Sequence, residues 1–314
     1  MQTGFIYNTR FLEHDPGPGH PECSARLSNT MEYLATQDWF DALHTISSDK
    51  TDTEVIMSVH DPAYIRRAEE ICRSGNTYLD SMDVGICRQS YDIALLATGN
   101  AIQVADSVMQ QEIDNGFALL RPPGHHAETA MALGFCLFNN IAILARYLQN
   151  TYNLNKIAII DWDVHHGNGT QHLFEDDPSV LYISSHQYPF YPGTGSYSET
   201  GIGAGTGYTL NCPLTAGATD QDYELIFMEK ILPKIDAYKP EFILISAGFD
   251  AHYSDPLGSI NLSTEFFAWM TERIMEKANQ YCENRVISLL EGGYNLNTLP
   301  QCIGEHLKVL SQQY

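Results

Sequence analysis

Positive charge is scarce in this chain. Its 314 residues carry 17 Lys and Arg against 39 Asp and Glu, a formal net charge of -22. A surface of that sign repels phosphate backbones, which argues against direct nucleic-acid binding, and draws in cations such as a lysine-rich tail or a polyamine. Paired cysteines are missing as well. Cys23, Cys72, Cys87, Cys136, Cys212, Cys282 and Cys302 are odd in number, scattered and without a C-x-x-C pair. That excludes a disulfide framework or a cysteine zinc site and reads as buried thiols in a reducing compartment. No apolar run approaches the ~20 residues that span a bilayer. Met1 to Arg10 lacks the basic segment and long apolar stretch of a secretory leader. The expectation is a soluble, cytoplasmic protein without a membrane partner. Internal repeats, low-complexity segments and Pro/Ser-rich linkers are absent too. The small-residue stretch Gly201 to Gly207 reads as a loop inside a single domain covering residues 1–314.

What is present suits a large core, with 44% apolar residues and only 18% charged. Short apolar runs recur at Phe117 to Leu120, Ile157 to Ile160, Val180 to Ile183, Phe242 to Ile245 and Val286 to Leu290. Uninterrupted runs of this length suit parallel strands covered on both faces. Helical patterns lie between them. Ile141, Leu144, Ala145 and Leu148 share a face behind Asn139 or Asn140 as a cap. Thr219 opens a second helix with Asp220 and Asp222 in its first turn. A third follows Thr264, with Phe267, Met270, Ile274 and Ala278 in one stripe. The alternation predicts a doubly wound α/β sheet, in which ligands bind beyond the carboxyl ends of the strands.

Polar clusters fall just there. Asp161-Trp162-Asp163-Val164-His165-His166-Gly167-Asn168-Gly169 follows a strand predicted over Lys156 to Ile160. If the strand continues, alternation points Asp161, Asp163 and His165 the same way. Carboxylates buried together need a cation or a metal. Asp250, after the run Phe242 to Ile245, would complete an Asp/His/Asp set with Asp163 and His165, leaving a coordination position open as a catalytic metal requires. Arg121-Pro122-Pro123-Gly124-His125-His126 places two histidines on a rigid turn, a pair suited to proton transfer but also, taken alone, to a structural role. Glu291-Gly292-Gly293-Tyr294 ends the next strand, where paired glycines can aim the Tyr294 hydroxyl.

These motifs, with Gly134-Phe135-Cys136-Leu137-Phe138-Asn139-Asn140, resemble in order the signature of the zinc histone deacetylase superfamily, from His20-Pro21-Glu22 to about Leu296. That superfamily includes acetylpolyamine amidohydrolases and bacterial deacetylase-like hydrolases. Asn168, where class I members typically carry Asp, makes the class II branch the nearer one. The resemblance implies the arginase/deacetylase fold, one α/β domain around a mostly parallel sheet of about eight strands flanked by helices. It implies Asp163, His165 and Asp250 as metal ligands, with His126 as general base and His125 as its electrostatic partner. Asp161 and Asn168 would orient the two histidines, and Tyr294 would hydrogen-bond the acyl oxygen. Asp83, Gly134, Phe135, Tyr191 and Leu257 would line the substrate channel, with Tyr191 where the family usually has Phe, and Arg26 would lie near an acetate exit. Zinc is the implied metal, although an oxygen-rich ligand set also tolerates iron(II) or cobalt. Structural potassium would use Asp161, Asp163, His165 and Ser184 at one site, and backbone carbonyls of Phe174 and Val180 at a second.

The expected reaction is hydrolysis of an N-acetyl-lysine amide in a protein or peptide, releasing acetate. Three rivals stand beside it. An acetylpolyamine amidohydrolase suits the net charge, but Leu257 stands where a polyamine-selective relative carries Glu. A silent acetyl-lysine binder would not need His125, His126 and Tyr294 together. A binuclear manganese ureohydrolase would need further Asp ligands.

Overall fold

A computed structural model describes residues 2–49, 51 and 53–312. Eight strands form the main sheet: β1 Thr3–Ile6, β2 His44–Thr45, β3 Asn115–Ala118, β4 Ile157–Asp161, β5 Val180–Gln187, β6 Thr209–Leu214, β7 Phe242–Ala247 and β8 Val286–Leu290. They lie in the order β2-β1-β3-β8-β7-β4-β5-β6, and every neighbouring pair is parallel. The sheet is thus wholly parallel rather than mostly so. β4, β7 and β8 are buried at every position, as their unbroken apolar sequences require in a sheet flanked by helices. A short antiparallel pair, Tyr78–Leu79 with Ser81–Gly85, stands apart.

Strand limits differ from the sequence reading in instructive places. β3 begins at Asn115 and ends at Ala118, so Leu119 and Leu120 already belong to the connection that carries the histidines. β5 runs on through Gln187. β4 ends at Asp161, so Asp163 and His165 lie in a bend and strand alternation does not bring them together. The caps are definite. Asn139, not Asn140, caps the helix Asn140–Tyr152, its side-chain oxygen accepting the Ala142 N–H at 3.1 Å. Thr219 and Asp222 form a capping box. Ser263 caps Thr264–Tyr281.

The topology locates the site. β3 and β4 are consecutive along the main sheet's path but separated in it by β8 and β7. The chain therefore crosses the sheet between them, and the crevice beyond the carboxyl ends of these four strands is the switch point where such sheets bind ligands. Register sets Asp161 beside Ser184 on one side and Ser246 on the other. Among the described residues no helix is long and apolar enough to cross a membrane. All seven cysteines are free thiols, Cys23 and Cys87 half-buried and the rest buried.

Candidate active site

Segments leaving β4 and β7 converge first. Asp163, His165 and Asp250 offer one ligand atom each, all within 4.8 Å of one another. His165 Nδ1 lies 3.1 Å from Asp163 Oδ1 and 3.2 Å from Asp250 Oδ2. Both carboxylates are buried, and among the described residues Asp250 Oδ2 has no hydrogen bond. Burial and the neighbouring Asp163 charge raise the Asp250 carboxyl well above the carboxylate range. A side chain at Gly292 would run into both aspartates, so the glycine pair after Glu291 lets the backbone pass close to them. Two carboxylate oxygens and an imidazole nitrogen are a donor set that fits a divalent zinc ion.

The two histidines beyond β3 are driven apart electrically. His125 Nδ1 donates to Asp161 Oδ2 at 3.0 Å. Burial opposes its positive charge, but Asp161, Asp163 and Glu291 outweigh that and raise its pKa well above the usual value. For His126, burial, His125 and His165 all push downward, so it is neutral. Its tautomer follows from Asn168, whose amide nitrogen donates to His126 O and to Glu128. The Asn168 oxygen is therefore the atom 2.7 Å from His126 Nδ1, which must carry the proton and leave Nε2 a free base. Opposed shifts in neighbouring groups are the pattern expected of an acid and base pair.

Over these groups opens a cavity of about 370 Å³. His126, His165 and Tyr294 form its buried end, while Asp83, Tyr191, Pro256 and Leu257 line the part nearer solvent. Phe135 stands edge-on to Tyr294 at 5.8 Å between ring centres. Its backbone is left-handed (φ 68°), following Gly134 at φ 54°, and a side chain at Gly134 would strike the His126 ring. A bulky residue held in that region stores strain that the surrounding structure must support. Tyr191 packs edge-on to His126 at 5.3 Å, and its hydroxyl donates to Asp83 Oδ2 at 2.7 Å. Burial and the Asp83 carboxylate raise the Tyr191 pKa well above its ordinary value, so it stays a donor.

Residues 20–310 match the histone deacetylase domain. The chain belongs to the histone deacetylase family. It is 41% identical over 298 residues to a probable deacetylase of Archaeoglobus fulgidus, covering 94% of this chain and 82% of that one. It is 38% identical over 296 residues to the polyamine deacetylase HDAC10 of Danio rerio, covering 90% of this chain and 43% of that protein. The crystal structure of the HDA15 HD domain superposes with a TM-score of 0.94 at 36% identity, covering 98% of this chain and 89% of that one. The protein is thus a deacetylase, a hydrolase of a family that generally uses zinc.

Within this histone deacetylase domain the expected site residues gather, with one displacement. Arg26 is not in the cavity wall. It is fully buried behind Tyr294, with its guanidinium carbon 5.0 Å from that ring's centre, donating to Gly293 O at 2.7 Å and Glu291 O at 2.5 Å. A tight interior hydrogen-bond set, rather than a position along the channel, satisfies its charge. Ser184 lies next to Asp161 in the sheet, and Phe174 and Val180 flank the turn before β5. Sequence reasoning missed Phe190, stacked on His165 at 5.4 Å, because one aromatic beside another carries no distinguishing pattern. It also missed Tyr182, whose hydroxyl donates to Asp161 Oδ2 at 3.0 Å from inside an apolar strand. Glu22 was noted only as a motif letter, yet it ties Arg26 and Arg121 together.

Proposed function

We propose that this deacetylase removes the acetyl group from N-acetyl-lysine in proteins or peptides, with His126 as base and Tyr294 as donor to the acyl oxygen. The observation that carries the reading is the pair of histidines held beside the donor set, His125 Nδ1 on Asp161 and His126 Nδ1 on Asn168. Asp163, His165 and Asp250 would hold the zinc, whose contribution when bound is to polarise the acyl oxygen and acidify a water. His126 Nε2 takes the water's proton and returns it to the departing lysine amine as the C–N bond breaks, its ring held by Asn168. His125, fixed by Asp161, stays protonated and offers positive charge beside the developing oxyanion. Burial raises the Tyr294 pKa well above its ordinary value, so its hydroxyl remains a donor. Phe135 and Tyr191 wall a slot suited to the methylene chain of a lysine. Potassium at the two places named above belongs to the same reading, supported at the first by the adjacency of Asp161 and Ser184.

The choice of lysine over polyamine rests on the mouth. Leu257 offers a distal ammonium no charge. Asp83 does carry one, but its Oδ2 is already engaged by the Tyr191 hydroxyl and by the Gly134 N–H at 3.2 Å. A carboxylate with two donors on one oxygen holds an added cation less well, and its other oxygen, Oδ1, is buried out of contact with solvent. The polyamine reading keeps support from the net charge of -22 and from the likeness to a polyamine deacetylase.

Steady-state assays of an acetyl-lysine peptide and N-acetylputrescine, each at low and high salt, test the choice. The peptide is expected to have the larger kcat/KM at both, and Leu257→Glu to move the ratio several-fold toward the polyamine, the scale of about 1 kcal/mol for a rim ion pair. Acetylputrescine preferred at both ionic strengths would replace the lysine reading with the polyamine one.

A further inference from the structure

We propose that Glu291 is a positioning residue: its buried carboxylate holds the backbone of the turn that carries His125 and His126. The proposal rests on the reading of those histidines as the proton-transfer pair.

The turn is unusual in its hydrogen-bonding needs. Pro122 and Pro123 have no N–H, so Gly124 and His125 supply the first two backbone donors after Arg121, and both residues are buried. Both N–H groups go to one atom. Glu291 Oε2 accepts from Gly124 N at 2.7 Å and from His125 N at 3.2 Å. The other oxygen, Oε1, takes the Ser246 hydroxyl at 3.3 Å. Glu291 is itself only 1% exposed, and no Lys or Arg side chain bonds its carboxylate among the described residues. A buried carboxylate without a bonded Lys or Arg is a costly choice for filling space, and an aliphatic residue would fill it more cheaply. What only an acceptor can do here is satisfy two donors that have no other partner.

Its backbone joins the same assembly. Glu291 N donates to Ala247 O at 3.1 Å, and Glu291 O accepts from Arg26 at 2.5 Å. One residue therefore links the ends of β7 and β8, the helix Ala25–Leu34 that carries Arg26, and the histidine turn. His125 is gripped twice, by Glu291 at its backbone and by Asp161 at its ring. His126 follows directly, so a shift of the turn moves both imidazoles relative to Asp163, His165 and Asp250. Burial lifts the Glu291 carboxyl to about 7, against the pull of His125 and the Gly124 N–H. The acceptor role does not depend on that charge, since a neutral amide oxygen accepts the same two bonds.

The test separates geometry from charge. Glu291→Gln keeps an acceptor at the same reach, whereas Glu291→Asp keeps the charge and withdraws it by one methylene. Both are measured for kcat, KM and bound zinc alongside His126→Ala. The expectation is that Glu291→Gln stays within about fivefold of the parent, while Glu291→Asp loses about tenfold or more in kcat with KM and zinc nearly unchanged, as small misplacements of reacting groups do. A parental kcat in Glu291→Asp, or a larger loss in Glu291→Gln than in Glu291→Asp, overturns the positioning role. If His126→Ala is silent, the underlying reading of the histidines fails; if it is inactive while both Glu291 variants are normal, only the role of Glu291 fails.

Discussion

Two buried clusters of carboxylate lie close together in this molecule, and their charge balance is opposite. Glu22 is bonded by Arg121 Nε at 2.5 Å and Arg26 Nη1 at 3.0 Å, with His14 Nε2 at 3.5 Å. Burial would raise its carboxyl, but Arg121 and His14 hold it far below the usual range. At the ends of β4 and β7, the only side chains able to bring positive charge to Asp161, Asp163 and Asp250 among the described residues are histidines, and no Lys or Arg bonds them. Desolvating a charge costs several kcal/mol unless a counter-charge and hydrogen bonds offset it. The first cluster brings its own cations and is closed, a brace behind Tyr294. The second offers oxygen and nitrogen donors to a cation from outside. Equal burial of acidic groups thus closes on internal cations in one place and leaves donors for the proposed metal in the other.

The comparison breaks most sharply at Asp250. Removing one of three ligands leaves too little to hold the ion. Asp250→Ala is expected to show no measurable turnover and little bound metal by elemental analysis. Chelation of the parent should abolish activity, and re-addition of zinc, iron(II) or cobalt should rank the metals. Full metal and normal turnover in Asp250→Ala would place the donor set with the closed kind of cluster.

At Glu22 the loss should be in stability instead. Glu22→Leu leaves Arg26 and Arg121 buried without their counter-charge, a change that costs about 3–5 kcal/mol when one partner of a buried pair is removed. Denaturant unfolding should register it, while the fraction that remains folded still binds metal. Unchanged stability would mean that the arginines are satisfied by their carbonyl partners alone.

Between these lies the histidine pair. His126→Ala should lower kcat by at least about a hundredfold, the scale of a lost general base, and His125→Ala by less. The reverse order would exchange their roles.

The open cluster was far easier to see in the sequence than the closed one. Asp163, His165 and Asp250 stand just past unbroken apolar runs, where a polar cluster is conspicuous, and the runs are unbroken because β4 and β7 are buried on both faces. β1 and β6 gave no such signal. β1 is only four residues long and includes Gly4, and β6 carries Thr209, Asn211 and Pro213. Glu22, Arg121 and Glu291 act through contacts across 99 to 167 residues of chain, and no local periodicity encodes such a pairing. Tyr191 was legible as a wall residue, but its bond to Asp83 was not, since it depends on two loops meeting. The bend after Asp161 likewise follows from tertiary packing, so the alternation expected to align Asp163 and His165 is one that the chain does not use.

The smallest expected effect concerns histidines outside both clusters, and it separates the clusters by pH. His306 lies between Thr271 Oγ1 at 2.6 Å and Ser288 Oγ at 2.9 Å, both neutral partners, and burial lowers its pKa from 6.5 to about 3. The unfolded chain takes up this proton near pH 6.5 and the folded chain only near 3. Stability from His306 is therefore complete above about 6.5 and falls as the pH drops, by roughly 1.4 kcal/mol per pH unit for one proton. Glu22 has the same sign in a lower window: its contribution is present above the ordinary carboxyl value of 4.5 and is lost only as the pH falls toward its depressed folded value. His60, His166 and His186, held at about 4, 3 and 4, add to the slope above pH 4.5, so one histidine variant removes only its share. Unfolding free energies of the parent and of His306→Gln at pH 7.5 and 5.5 should differ in their pH dependence by about one proton's worth, roughly 1 kcal/mol over this range. Glu22→Gln also withdraws the charge that raises the His14 pKa, so it is expected to steepen the rise of stability with pH in this range. Identical slopes for the parent and His306→Gln would show that the folded protein protonates His306 near pH 6.5, which its two hydroxyl partners and complete burial oppose.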